Sequence, residues 1–252
     1  MREVSLDIPI GDDVADAFLV RPDGPGPYPG VLLFMDAFGL RPRLREMAAR
    51  IAGRGYAVLA PNILYRGGRS PQFDLEALGD PARRGAVFGQ VMPHIQALTT
   101  SRVTRDARFY LDFFAAQEGV AAGPVVLVGY CMGGTNAVRV TEAYPNRVKG
   151  VASFHAGRLA TDQPDSPHLY VEEISGEVYL AHADHDQSMT PAQIKTLEAA
   201  LDRAGVRYTS EVYEGAPHGF TMSDTAAYHE AAERRHWTAL FAFFDRVLPP
   251  AS

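Results

Sequence analysis

The stretch VGYCMGGTN, residues 128–136, holds the only cysteine of a 252-residue chain, set among glycines directly after the apolar run Val125, Val126, Leu127, Val128. A buried filler thiol needs no such setting. An apolar run that enters a tight turn and leaves as a helix through residue 143 reads as strand, turn and helix, with Cys131 at the apex. The spacing Gly129-x-Cys131-x-Gly133 has a steric reason. A sharp apex forces its residue into strained backbone, and side chains two positions away on either side would collide with it. The helix that starts there points its positive end at the sulfur and leaves the N–H of Met132 free to face a developing negative charge.

Outward from this turn, the chain alternates buried apolar runs with helical stretches. Strands are expected at 30–35, 56–60, 125–129, 148–154, 178–182 and 207–213, and helices at 43–53, 103–117, 132–143, 191–204 and 225–247. That alternation implies parallel strands with right-handed crossovers and helices on both faces, with chemistry at the carboxyl ends of the strands. Residues 2–8 and 14–20 alternate with period two around Gly11-Asp12-Asp13, which predicts an N-terminal antiparallel hairpin. Thr190, Pro191 and Gly205 supply start and stop signals for the helix at 191–204. Residues 66–100 are polar and turn-rich and read as a surface excursion with short helices, placed over the active site. The expectation is one domain, residues 1–252, built on a mostly parallel doubly wound sheet.

Composition excludes several classes of function. No apolar run reaches the roughly 20 residues of a membrane helix. Formal net charge is −6 and no Lys/Arg block exceeds two residues, which argues against a nucleic-acid partner. The N-terminus MREVSLDIPIGDD lacks the basic start and apolar stretch of a signal peptide, so a cytoplasmic location is expected. A single cysteine permits no internal disulfide, and a reducing compartment would keep it available.

A thiol nucleophile needs a base, and the base needs an orienting carboxylate. Gly215-Ala216-Pro217-His218-Gly219-Phe220 places a histidine in a glycine-rich loop after a strand. For the acid, Ala181-His182-Ala183-Asp184-His185-Asp186 offers two aspartates. Asp186 is preferred and Asp184 held in reserve, because the run Asp186-Gln187-Ser188-Met189-Thr190-Pro191 resembles the familiar acid turn in which a hydrophobic residue follows three positions later. The crowding of His182, Asp184, His185 and Asp186 also suggests a metal site, but no third histidine or glutamate cluster with ligand spacing accompanies it, and neither metal nor cofactor is expected.

Together these residues resemble the dienelactone hydrolase family of α/β-hydrolases across essentially the whole chain. Residues 129–134 look like its nucleophile motif, 215–220 like its histidine loop, and Asp186 like its triad acid. The resemblance implies an α/β-hydrolase fold and a Cys131, His218, Asp186 triad. It also makes Phe34-Met35-Asp36-Ala37-Phe38 the first active-site turn. There the family commonly carries a glutamate that contacts the resting thiol; here the position is Asp36, one methylene shorter. The N–H of Ala37 would be the second oxyanion donor beside Met132. The family's best-known members hold a lactone carboxylate with arginines, one of them shortly after the catalytic histidine. Residues 218–222 contain none, leaving Arg66, Arg69 and Arg158 as candidate cations. His155 follows another strand and is a candidate pocket residue, as is Tyr130 beside the apex; Trp237 is assigned to packing. The expected partner is a small-molecule ester or lactone. Two rivals stay open: a non-catalytic redox-sensing or ligand-binding protein using the same thiol, and a broad-range carboxylesterase or thioesterase.

Overall fold

In the computed structural model, which describes residues 1–74, 76, 77 and 80–250, eight strands form one twisted sheet. The hairpin consists of β1 (Arg2–Ile10) and β2 (Asp13–Arg21), joined by a two-residue turn at Gly11 and Asp12 with Ile10 opposite Asp13. Gly11 takes a φ of +63°, the left-handed conformation such a turn requires. The hairpin joins the sheet through antiparallel pairing of β2 with β4 (Ala57–Pro61). The remaining strands are parallel to one another: β3 (Gly30–Phe34), β4, β5 (Val125–Tyr130), β6 (Val148–Phe154), β7 (Glu177–Ala183) and β8 (Tyr208–Tyr213). The order across the sheet is β1-β2-β4-β3-β5-β6-β7-β8. Strands β3, β4 and β5 are buried along their whole length, which is why their sequences are continuous apolar runs and not alternations.

Among the described residues six α-helices cover the sheet: α1 (Pro42–Ala52), α2 (Pro81–Ala97), α3 (Thr100–Ala115), α4 (Met132–Ala143), α5 (Pro191–Ala204) and α6 (Glu230–Val247). Helix α1 buries Leu44, Met47, Ala48 and Ile51, one stripe at helical spacing. Helix α5 carries a complete capping box between Thr190 and Gln193 and ends at Gly205 with φ +65°.

Two expectations require correction. Residues 66–100 do not form only short helices: 81–97 is a single 17-residue helix, begun by Asp80, whose side chain accepts the Ala82 N–H, and by Pro81. Pro93 lies inside it and hid its continuity from a reading of the sequence. The last helix begins at 230 and not 225, because residues 220–228 are wound in successive turns and His229 is the N-cap. Positions 75, 78 and 79 of that excursion lie outside the described residues.

Because β3, β5, β7 and β8 run the same way, their carboxyl ends, at Phe34, Tyr130, Ala183 and Tyr213, share one edge. The loops that follow them carry Asp36, Cys131, Asp186 and His218 to that edge.

Candidate active site

Cys131 has φ +56° and ψ −123°, a conformation disfavoured for any side chain and held here by its surroundings. Its N–H donates to the Phe154 carbonyl at 3.0 Å, and its carbonyl accepts from Gly134 N–H at 3.0 Å. The neighbouring glycines are sterically required. A Cβ on Gly129 would lie 2.3 Å from the Gly133 carbonyl oxygen, and one on Gly133 would lie 2.2 Å from that of Met35. The start of α4 is therefore pressed against the end of β3, which brings the 35–37 turn beside Met132. As the first residue of α4, Met132 has an N–H with no intrahelical acceptor.

The half-buried Cys131 Sγ lies 3.0 Å from Nε2 of His218, and Nδ1 of His218 lies 2.6 Å from Oδ2 of Asp186. The other oxygen of Asp186 accepts from the N–H of Ser188 at 2.8 Å and from its hydroxyl at 2.7 Å. Burial would raise the Asp186 carboxyl, but the bonds from His218 and Ser188 outweigh it and bring it down to about 2. Burial likewise opposes the charged form of His218, yet the Cys131 sulfur and the Asp186 carboxylate together push it up to about 10. The charged His218 ring is thus favoured by its place between the sulfur and the carboxylate.

Asp184 has a different position. Its carboxylate accepts the Gly215 N–H at 2.9 Å and its own N–H donates to the Ala216 carbonyl at 2.8 Å, so it ties down the loop that delivers His218. Gly215 and Gly219, with φ of +71° and +94°, give that loop its two bends.

Asp36 is buried with both oxygens taken by Arg41, at 2.6 and 2.9 Å, and Oδ1 also accepts the Phe38 N–H at 3.0 Å. None of these bonds goes to Cys131. Arg41 continues to Asp224, with Nε 2.5 Å from Oδ2 and Nη2 3.2 Å from Oδ1. Neither Arg41 nor Asp224 stood out in the sequence, since nothing local marks two residues 183 positions apart as partners.

Tyr130 and His155 do not line the cleft in front of Cys131. Tyr130 is fully buried, its hydroxyl 2.9 Å from Nε2 of His236 and its ring stacked on Phe154. His155 is fully buried with Nε2 2.8 Å from the Thr221 hydroxyl, and its ring meets that of His218 edge-on at 5.4 Å between centroids. Burial and the neighbouring His218 hold His155 well below the usual imidazole range, so it packs as a neutral ring. Trp237 is likewise a packing residue, its indole N–H donating to Glu233 at 3.0 Å.

The cleft has a volume of about 810 Å³ and contains Cys131, His218 and Asp186. Phe88, Met92 and Ile95 of α2 form an apolar wall, and Arg139, Arg158 and Asp165 contribute charge. Of the three candidate cations, Arg66 is committed to Asp106 and Arg69 to Asp7, while Arg158 lines the cleft. Arg139, two helical turns into α4, was not anticipated. Among the described residues no group of three or more His, Cys, Asp or Glu side chains is arranged to hold a metal ion, and no helix is long and apolar enough to cross a membrane.

Residues 15–248 match the profile of the Dienelactone hydrolase family. A relative from Synechocystis sp. is 26% identical over 234 residues, 92% of this chain and 91% of that protein. The carboxymethylenebutenolidase of Rhodococcus opacus is 25% identical over 225 residues, 88% of this chain and 82% of its own. Among solved structures, m3DLH is 27% identical with a TM-score of 0.79, covering 98% of each chain. A dienelactone hydrolase-like promiscuous phosphotriesterase, P91, from metagenomic libraries, has the same fold at 23% identity, with a TM-score of 0.76 and 98% coverage of each chain.

Proposed function

The chain belongs to the dienelactone hydrolase family, and from that premise we propose that it hydrolyses activated carboxylic esters or enol lactones through a covalent intermediate on Cys131. The observation that carries this reading is the hydrogen-bonded series Cys131, His218, Asp186, with spacings of 3.0 and 2.6 Å, opening on a cleft of small-molecule size.

In the proposed reaction Cys131 Sγ attacks the substrate carbonyl carbon and its proton resides on His218 Nε2. Asp186 holds the opposite ring nitrogen and stabilises the imidazolium. The N–H groups of Met132 and Ala37 receive the oxyanion, and collapse expels the alcohol or enol oxygen, protonated by His218. Water, deprotonated by His218, then releases the acid from sulfur. Sulfur is itself a good leaving group. An intermediate built on a strongly basic alkoxide therefore reverts, whereas an enolate or phenolate departs, and activated substrates are favoured. The carboxymethylenebutenolidase name of the Rhodococcus relative supports an enol lactone as the natural substrate class. No metal or cofactor enters these steps. We assign residues 1–252 to one hydrolase domain with a cytoplasmic location.

Intact-protein mass spectrometry during turnover of p-nitrophenyl acetate tests the reading. An acetyl adduct on Cys131 is expected, lost in Cys131→Ala and released slowly in His218→Ala. A parent protein that neither forms the adduct nor turns over enol lactones, while Cys131 is readily oxidised by peroxide, would overturn it in favour of a thiol sensor.

A further inference from the structure

We infer that Arg41 is a positioning residue that locks the turn carrying Ala37 to the loop carrying His218, holding oxyanion donor and base in one fixed geometry. The inference rests on the acyl-transfer reading above.

Ala37 and His218 belong to loops that follow different strands, β3 and β8, at opposite sides of β5 in the sheet order. Acyl transfer needs both near the same substrate carbonyl, and a misplacement of about 1 Å costs on the order of 100-fold in rate. Something must hold the two loops in register, and Arg41 spans them. Its side chain is 0% exposed, and every guanidinium N–H has an acceptor. Nη1 donates to Asp36 Oδ1 at 2.6 Å and to the Gly39 carbonyl at 3.3 Å. Nη2 donates to Asp36 Oδ2 at 2.9 Å and Asp224 Oδ1 at 3.2 Å, and Nε to Asp224 Oδ2 at 2.5 Å. Asp36 immediately precedes Ala37, and Asp224 lies six positions beyond His218.

Two forks on one planar group constrain both position and orientation. Lysine has three donors around a single point and cannot clasp two carboxylates edge to edge. A second tie runs alongside. Arg43 donates through Nη2 to the Thr221 carbonyl at 2.8 Å and pairs with Glu233, and the Thr221 hydroxyl meets His155, whose ring abuts His218. The start of α1 therefore grips the histidine loop at two points, 221 and 224.

The clasp also gives Asp36 a role unlike that of the family's resting-thiol acid. With both oxygens on Arg41, Asp36 serves as the near anchor, and Cys131 has His218 as its hydrogen-bond partner before any substrate arrives.

The test compares Arg41→Gln, Arg41→Lys and Asp224→Asn with the parent. The burst of p-nitrophenolate from p-nitrophenyl acetate, followed against substrate concentration, separates acylation rate from binding. Alkylation of Cys131 by iodoacetamide is followed in parallel, because it requires the sulfur and its base but no oxyanion donor. The expected result is acylation about 100-fold slower in Arg41→Gln and about tenfold slower in Asp224→Asn, with Arg41→Lys between Arg41→Gln and the parent. Half-saturation should stay within about twofold, and alkylation within about threefold of the parent. Asp224 is 33% exposed on a turn, so Asp224→Asn decides the matter alone if an Arg41 variant fails to fold. Acylation within about twofold of the parent in Asp224→Asn and Arg41→Gln would overturn the clasp, as would a parallel fall of acylation and alkylation. A parent that neither forms the acetyl adduct on Cys131 nor turns over enol lactones would overturn the acyl-transfer reading and the clasp with it; a parent that acylates, with variants that acylate as fast, removes the clasp alone.

Discussion

Replacing Gly133 by alanine adds one methyl group where the fold has no room for it. The new Cβ would lie 2.2 Å from the Met35 carbonyl oxygen and 2.5 Å from that of Phe34, about 1 Å inside ordinary contact. Neither neighbour can swing away as a side chain would. Both are backbone atoms at the end of β3, which is hydrogen-bonded to β4 on one side and β5 on the other. Relief requires α4 and the end of β3 to separate, at a cost of about 3 kcal/mol. For a chain of this length that corresponds to a fall in Tm of roughly 6–12 °C. The same separation moves Ala37 away from Met132, and about 1 Å of spread predicts acylation slower by about 100-fold. Circular dichroism melting and the p-nitrophenyl acetate burst measure the two effects on one preparation. Gly89→Ala is the control, since its Cβ meets nothing within 4 Å among the described residues, and alanine in α2 should raise stability by about 0.5–1 kcal/mol. Gly133→Ala with a Tm within 2 °C of the parent and an unchanged burst would refute both the close packing of the elbow on β3 and the dependence of acyl transfer on that contact.

Further outcomes follow from the same geometry. Asp186→Asn should slow acylation by at least about 100-fold, whereas Asp184→Ala, which loses only the anchor of Gly215, should slow it less than about tenfold; the reverse ranking would make Asp184 the acid. The stability supplied by the His218 and Asp186 pair should be full between about pH 4 and 6.5. It is lost on the alkaline side as pH rises toward about 10, because His218 is raised in the fold, and on the acid side as pH falls toward about 2, because Asp186 is lowered. Melting curves of the parent and His218→Ala should therefore differ most in that window, and a difference that widens between pH 7 and 10 contradicts the assignment. Substrate selection is checked by rate ratios: p-nitrophenyl acetate should exceed ethyl acetate by at least about 100-fold, and comparable rates would exclude leaving-group control by sulfur.

What could be read from the sequence was whatever depends on neighbours along the chain. The elbow was legible because steric exclusion at Gly129 and Gly133 acts across a few positions, and α5 because its cap, its Pro191 and its terminal Gly205 are all local signals. Helix α2 was obscured by Pro93 and by glycines at 85 and 89, which lower helical propensity without preventing a helix that packs over the cleft. The two aspartates after β7 could be ranked but not separated, because what distinguishes them is the partner each finds on the 215–218 loop.

Asp36 carries the same point further. Sequence alone sets it in the place of a longer acid and invites the role of that acid. Yet the shorter side chain reaches its own turn: Oδ1 accepts the Phe38 N–H two positions on, the local closure that aspartate favours and glutamate does not. Once folded back, the carboxylate presents its edge to Arg41, and only the fold supplies the second carboxylate, from Asp224, that completes the guanidinium's set of acceptors. Folded back in this way the Asp36 carboxylate is part of the scaffold, and the thiol has His218 as its hydrogen-bond partner.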